Sequence, residues 1–265
     1  MALFFNRQSP LPSPPSQGSL KFWLDAQDLT VADGTEILTM NNKGTLGGTF
    51  IQRNDISING NPTATTVDGK RALYYAPNID QGLISTQNIS ENTITVLTVT
   101  QNEANKIPGA YGAPWANDGY HCTVGGYWHK FALGNHEGWG DMYPYFYNNY
   151  WDASRPGSPE PFIYDTTIDS GVTLGIVVQF DTTLTNPTTF YKIKKDSADF
   201  SKTYAPGLSF LDAGPLVVGG ILSAGGAGGA RFTFAGKIFE IIVWQGITDV
   251  TAIRQYLNQK YGGTW

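Results

Sequence analysis

The stretch from Arg231 to Gly262 restricts the fold of this chain more than any other part of the sequence. Residues 237–244 are mostly β-branched or aromatic, which is typical of a strand whose two faces are both covered. Side chains alternate between the two faces of a strand. Simple alternation therefore predicts one face made of Ile238, Glu240, Ile242 and Trp244.

A short helix is predicted to follow this strand after a turn at Gln245 and Gly246. Either Thr248 or Asp249 is expected to cap its first turn, because short polar side chains accept hydrogen bonds from unpaired backbone amides. Gly262 is expected to end it in a left-handed conformation. The apolar residues at helical spacing are Val250, Ile253, Leu257 and Tyr261.

The composition favours an all-β chain. Of 265 residues, 31 are glycine and only 15% are charged, while 41% are hydrophobic. Such a chain has enough apolar surface for a core and many turns. Short strands are predicted at 20–26, 35–40, 56–62, 72–75, 93–99, 174–180, 189–193 and 216–220. The range 174–180 is nearly all apolar, so we expect it to be central and to pair with 189–193.

Two of these segments resemble a known family. The opening strand 20–26 reads LKFWLDA, and the C-terminal stretch combines GKIFEIIVW with YLNQKYG. Both are similar to the ends of a concanavalin A-like (laminin-G-like) domain. The resemblance implies a jelly-roll sandwich of two antiparallel sheets with a short C-terminal helix and an extended N-terminal arm. The expected organisation is an arm at 1–19 and a sandwich at 20–265, with no second domain boundary.

The arm is rich in proline, and residues 9–19 read SPLPSPPSQGS. Proline at this density favours an extended polyproline conformation and disfavours the interior of a sheet. One interpretation is a disordered tail, and the other is an arm ordered by a partner chain. The residues expected to bind that partner are Leu3, Phe4, Phe5, Pro10, Pro12, Pro14 and Pro15.

The segment 111–151 is crowded with tyrosine and tryptophan, interrupted by glycine and proline. Aromatic rings beside amides and carboxylates suit stacking on sugar rings, but they also suit a protein core or a protein interface. For the sugar interpretation, the candidate binding residues are Trp115, Asp118, Tyr120, Trp128, Trp139 and Tyr143.

No metal or cofactor is predicted. The segment also holds His121, His129 and His136, and a zinc or calcium site with nearby carboxylates was the alternative, but no pair has helical spacing. The residues 179–182 resemble the metal-binding core of legume lectins, except that Gln179 stands where the family has glutamate. Cys122 is the single cysteine, so no disulfide framework is expected.

The sequence predicts that the protein is not an enzyme. Glucanases of this fold carry Glu-x-Asp-x-x-Glu on one strand, and no such cluster occurs here. The resemblance makes Glu240, which stands alone on its strand, a structural residue. A glycoside hydrolase with an unfamiliar pair of carboxylates was the alternative enzyme hypothesis.

Charge and targeting signals complete the sequence-based hypothesis. The net charge of −5 gives no general reason to bind nucleic acid or an anionic membrane, and no signal peptide or membrane-spanning run is evident. Domains of the family that this chain resembles serve in tailed phages as capsid decorations and fibre domains, and those proteins are made in the host cytoplasm without an export signal. Together with the arm and the lack of a catalytic cluster, the resemblance leads us to expect a virion surface protein made in the host cytoplasm. Its expected role is phage capsid decoration (cement), anchored by the arm to the major capsid protein or other virion subunits as a homo-oligomer. The alternative is a carbohydrate-binding module or a fibre receptor-binding domain with a glycan ligand.

Overall fold

A computed structural model describes fourteen parts of the chain: 12–16, 19–52, 60–76, 81–89, 93–102, 119–126, 131–138, 141–148, 163–164, 171–181, 188–204, 214–219, 234 and 236–265. Within these parts the chain is almost entirely β-strand, with one α-helix near its end. The predicted all-β fold with two antiparallel sheets and a short C-terminal helix is confirmed.

The secondary structure elements are named here in chain order. The strands are β1 (Leu20–Asp25), β2 (Thr39–Asn41), β3 (Thr49–Gln52), β4 (Thr63–Val67), β5 (Lys70–Tyr75), β6 (Leu83–Ile89), β7 (Thr93–Asn102), β8 (Gly119–Gly126), β9 (Phe131–Gly138), β10 (Asp141–Asn148), β11 (Ile163–Tyr164), β12 (Thr173–Asp181), β13 (Thr188–Lys194), β14 (Phe200–Tyr204), β15 (Gly214–Val218) and β16 (Gly236–Gln245). The helix α1 comprises Val250–Tyr261, and a 3₁₀ turn at Ala26–Asp28 follows β1.

The described strands form two sheets of eight. The first sheet has the order β14-β13-β12-β7-β16-β5-β4, and β1 pairs with the C-terminal half of β16. The second sheet has the order β11-β10-β9-β8-β15-β6-β3-β2. As predicted, β12 lies inside its sheet, between β13 and β7.

Strand β16 separates two apolar layers. Ile238, Ile241 and Val243 belong to the core between the sheets, together with Phe50 and Val218 of the second sheet. Phe239, Ile242 and Trp244 instead belong to the layer under α1. The pairing shifts register between Ile238 and Glu240, so Ile238 does not share a face with Trp244 as simple alternation predicted.

The helix α1 covers the face of the first sheet that points away from the second. Its N-cap is Asp249, whose side chain accepts a hydrogen bond from the Thr251 amide at 2.9 Å. Gly262 ends it at φ 70°. Ile253 and Leu257 are buried against the sheet. In the middle of the first sheet, both faces are therefore covered by packed side chains.

The open edge of β1 is covered by the loop 42–46. The Asn42 side chain accepts a hydrogen bond from the Trp23 amide at 2.8 Å and donates one to the Lys21 carbonyl at 3.2 Å. The amides of Lys43 and Thr45 donate to the carbonyls of Trp23 and Leu20, at 3.0 and 2.7 Å. These bonds satisfy backbone groups that an exposed edge strand would leave unpaired.

Candidate functional site

Strand pairing assigns several tyrosine positions of the second sheet to its outer face, the side of that sheet that points away from the first sheet. Phe50 and Val218 belong to the core between the sheets, so the alternate positions Ile51 and Val217 mark the outer face. Successive cross-strand pairs form one row of positions across the sheet: Ile51, Ile84, Val217, Gly125, Ala132 and Tyr147. Along this row Ile51 is exposed and Ile84 is half-buried, whereas Val217 is fully buried. The β3 end of the face is therefore accessible, and the face is covered at β15.

Two more rows on this face follow from the same pairing. Tyr145 pairs with Gly134 on one side and with Tyr164 on the other. Tyr120 and Tyr143 pair with His136 from opposite sides. We call this surface the tyrosine face, and its ring-bearing positions are Tyr120, His136, Tyr143, Tyr145, Tyr147 and Tyr164. On the opposite side of these strands, the row that continues from Val218 is apolar: Val124, Leu133, Phe146 and Ile163. Further along the same side, the positions include His121, Asn135 and Glu137.

The structure brings together two of the six sugar-binding residues predicted from the sequence. Tyr120 and Tyr143 lie in one cross-strand row, separated by His136. Trp115, Asp118, Trp128 and Trp139 lie outside the described residues. Tyr145, Tyr147 and Tyr164 were not singled out from the sequence. Their spacing of two along β10 was the signal that could have found the first two, because alternate residues of a strand share a face.

Of the arm residues predicted to bind a partner, some are described by the structure and others are not. Pro14 is buried, and the Pro15 carbonyl accepts a hydrogen bond from the Trp244 indole at 2.8 Å. Pro12 is half-buried beside them. Leu3, Phe4, Phe5 and Pro10 lie outside the described residues. The end of the arm that precedes β1 is therefore attached to the sandwich of its own chain.

A cluster of charged and polar side chains lies between the first sheet and α1. The Lys260 ammonium lies 2.8 Å from an Asp25 carboxylate oxygen and 2.6 Å from Glu240 Oε1. Asp25 and Glu240 are cross-strand partners on β1 and β16. Glu240 also accepts hydrogen bonds from the Trp23 indole at 2.7 Å and from the Tyr261 hydroxyl at 3.1 Å. We call these groups, together with the Tyr256 hydroxyl that also donates to Glu240, the buried ion cluster.

The buried ion cluster holds two acidic groups close together and away from solvent. The side chains of Asp25, Glu240 and Lys260 are at most 1% exposed. Burial raises the pKa of the Glu240 carboxyl, and the nearby Lys260 charge opposes this. Because Glu240 on β16 bonds to three side chains of α1, Tyr256, Lys260 and Tyr261, we interpret the cluster as the attachment of α1 to the sheet.

Because of the tyrosines in the buried ion cluster, we expect the folded protein to lose stability at high pH. Burial raises the pKa of Tyr256 and of Tyr261 well above 10, and the Glu240 charge adds to the shift. Above about pH 10 the unfolded chain loses these protons while the folded chain keeps them, so stability falls as pH rises. Each tyrosine adds a slope of about 1.4 kcal/mol per pH unit. The free energy of unfolding, measured with urea at several pH values from 9 to 11, should fall less steeply with pH for Tyr256→Phe than for the wild type. An identical dependence on pH would contradict the assignment.

The metal alternative stays open as a sequence prediction. His121, His136, Glu137 and Asp141 lie on β8, β9 and β10, whereas Asp118 and His129 lie outside the described residues.

In the described parts of the chain, no helix has the length and apolar character needed to cross a membrane.

Comparison with known proteins gives structural matches only. No protein-family model matches the chain, and no curated protein matches its sequence. An arabinofuranosidase bound to arabinofuranosyl-α-1,2-xylobiose is 12% identical to this chain, with a TM-score of 0.52. The match covers 86% of this chain and 51% of the arabinofuranosidase. Domain 4 of a GH43 extracellular arabinanase from Geobacillus stearothermophilus, in complex with arabinotriose, is 14% identical with a TM-score of 0.50, covering 90% and 98%.

A third match has a similar score. A mutant Trypanosoma rangeli sialidase with trans-sialidase activity is 13% identical with a TM-score of 0.50, covering 96% of this chain and 35% of its own. This chain therefore spans about half of the arabinofuranosidase and about a third of the sialidase, but nearly all of the arabinanase domain. At these identities the matches establish a shared fold.

These matches overturn the prediction that the protein is not an enzyme. The fold recurs in structures of an arabinofuranosidase, an arabinanase and a sialidase, so the architecture gives no reason to exclude catalysis. The prediction failed because it searched for carboxylates spaced along one strand. Folding also brings together carboxylates from separate strands, and no sequence spacing reveals those pairs.

Proposed function

We propose that this protein binds an oligosaccharide on the tyrosine face of its second sheet. The observation that carries the proposal is the cross-strand placement of Tyr120, His136 and Tyr143 in one row, with Tyr145 and Tyr147 following along β10. A tyrosine ring offers an apolar surface for a sugar ring and a hydroxyl for hydrogen bonding, at the cost of few rotatable bonds.

The dimensions of the face favour a chain of sugars over a single sugar. Tyr143, Tyr145 and Tyr147 occupy alternate positions of β10, so their backbones span about 14 Å. The positions on β9 that pair with Tyr147 and Tyr145 are Ala132 and Gly134, while Tyr143 pairs with His136. A line of tyrosine positions beside two small residues would suit an extended ligand.

The comparisons support a carbohydrate ligand over a protein ligand. The arabinanase domain is matched over almost its whole length, and its structure contains arabinotriose. The arabinofuranosidase structure also contains an oligosaccharide. Linear arabino-oligosaccharides are therefore the first ligands to test. Hydrolysis is the second candidate activity, because these structures come from glycosidases.

Replacing the central tyrosine should weaken this binding. We expect Tyr145→Ala to raise the Kd for the best ligand of a glycan array at least tenfold, since losing one well-placed aromatic contact costs about 1.4 kcal/mol or more. The array should include arabinotriose and longer arabino-oligosaccharides, and titration calorimetry measures the Kd. Release of new reducing ends during the titration would identify the protein as a hydrolase.

The matched control is Tyr74→Ala, which removes a half-buried tyrosine from β5 of the first sheet. It should leave the Kd unchanged. Circular dichroism and urea unfolding establish that both variants are folded. No binding to any glycan, or equal affinity for the wild type and Tyr145→Ala, would refute the proposed site.

Attachment to a virion is a second proposal, and its support is the composition of the arm. Pro14 and Pro15 are engaged by the sandwich of the same chain, so they are not free for a capsid subunit. Binding to the major capsid protein or another virion subunit would then depend on Leu3, Phe4 and Phe5. A glycan-binding face and an anchoring arm are compatible, because the arm approaches the first sheet and the tyrosines lie on the second.

A further inference from the structure

The proline-rich arm meets the sandwich with a three-residue pattern of burial. Ser13 and Ser16 are exposed, Pro12 and Pro15 are half-buried, and Pro14 is buried. The arm therefore presents its prolines to the protein and its serines to solvent.

The receiving surface contains a buried tryptophan. Trp244 is fully buried at the end of β16, in the apolar layer that also includes Leu20 and Ile253. Its indole nitrogen donates a hydrogen bond to the Pro15 carbonyl at 2.8 Å. Without the arm this buried donor would lose its partner, at a cost comparable to that of other unsatisfied groups.

The chain turns sharply between the arm and β1. Ser16 has a φ of 52°, a left-handed conformation that a residue with a side chain adopts at a cost. The amide and hydroxyl of Ser19 both donate to the Ser16 carbonyl at 3.0 Å. This turn returns the chain toward Leu20, whose cross-strand partner is Trp244.

We propose that the surface at Trp244 is a recognition site for a proline-rich extended segment, and that residues 12–16 are its ligand within the same chain. An aromatic surface with an indole donor is suited to such segments, because each proline exposes a carbonyl and a rigid ring. The segment loses little entropy on binding, since proline already fixes its backbone.

The site should therefore also accept the arm of a second copy. Attachment to β1 gives the arm a high effective concentration at its own site, in the millimolar range for a short linker. The intramolecular contact consequently competes with any arm supplied by another molecule. Weakening the arm of one copy, with the sandwich unchanged, should expose the site to the arm of another.

A peptide-binding experiment with the full-length protein tests this proposal. The probe is a fluorescent peptide with the sequence of residues 8–19, QSPLPSPPSQGS. Its affinity is measured by anisotropy for the wild type and for a variant carrying Pro14→Gly and Pro15→Gly. We expect at least tenfold tighter binding to the glycine variant, because its own arm competes less well. Adding Trp244→Phe to that variant should weaken the peptide at least tenfold.

The control is a peptide with glycine at positions 14 and 15, which should not bind either protein. Circular dichroism shows whether each variant is folded. The indole N–H resonance of Trp244 provides an independent measurement, and it should shift when the arm is weakened and shift back when the peptide is added. Equal affinity for wild type and glycine variant, no binding to the glycine variant, or an affinity insensitive to Trp244→Phe would overturn the proposal.

Discussion

Lys260→Met should destabilise the protein by about 3–5 kcal/mol, which is the range for removing one partner from a buried ion pair. Lys260 is the cation that lies between Asp25 and Glu240, at 2.8 and 2.6 Å. Methionine fills similar space without a charge, so the variant keeps the packing and loses the attraction. Two carboxylates would then remain in a region with almost no access to water.

The free energy of unfolding from urea titration at pH 7 measures this loss. The matched control is Lys43→Met, because Lys43 also contacts Asp25, at 3.3 Å, but is 28% exposed. A partly exposed pair of this kind contributes less than about 1 kcal/mol. Equal losses for the two variants would show that burial does not determine the strength of the Lys260 contacts.

A pH series adds a second check on the same variant. Burial raises the pKa of the Glu240 carboxyl and the Lys260 charge opposes this, so Lys260→Met should raise that pKa further. A carboxyl with a raised pKa is most favourable when protonated, and its contribution is lost as pH rises through the folded value. The difference between wild type and Lys260→Met should therefore be smaller at pH 5 than at pH 8, and a constant difference would contradict this account.

The C-terminal unit shows which features of the fold can be predicted from sequence. The limits of α1 depend on local chemistry, namely the cap at Asp249 and the positive φ of Gly262. Gly262 was predicted, and Asp249 was one of the two caps predicted. The register shift between Ile238 and Glu240 was not predicted. A bulge changes which residues share a face without changing their identity, so hydrophobic alternation gives no sign of it.

The candidate site was predictable only in part. An excess of aromatic residues in 111–151 identified the region, and two of its proposed residues, Tyr120 and Tyr143, lie in one row. Their common neighbour His136 belongs to a different strand. Cross-strand pairing depends on register, and the sequence of one strand does not contain the register of its partner. The role of Trp244 was missed for a similar reason, because its partner Pro15 is 229 residues away.

Gly44→Ala should be the other strongly destabilising change, because Gly44 lies against the backbone of β1. A Cβ at this position would come within 2.2 Å of the Lys21 carbonyl oxygen and 2.7 Å of the Phe22 nitrogen. Backbone atoms cannot rotate away as a side chain can, so the loop 42–46 must move off the edge of β1. That movement strains or breaks the hydrogen bonds that the loop makes to Trp23 and Leu20.

We expect a loss of roughly 2–4 kcal/mol, since several hydrogen bonds of about 1 kcal/mol each are affected together. The matched control is Gly47→Ala, three residues further along. Gly47 has a φ of 63° and nothing within 4 Å of an added Cβ, so only the backbone cost of about 1 kcal/mol applies. Urea unfolding compares the two variants. A loss for Gly44→Ala no greater than that for Gly47→Ala would mean that close contact with the loop is not needed to hold the β1 edge in place.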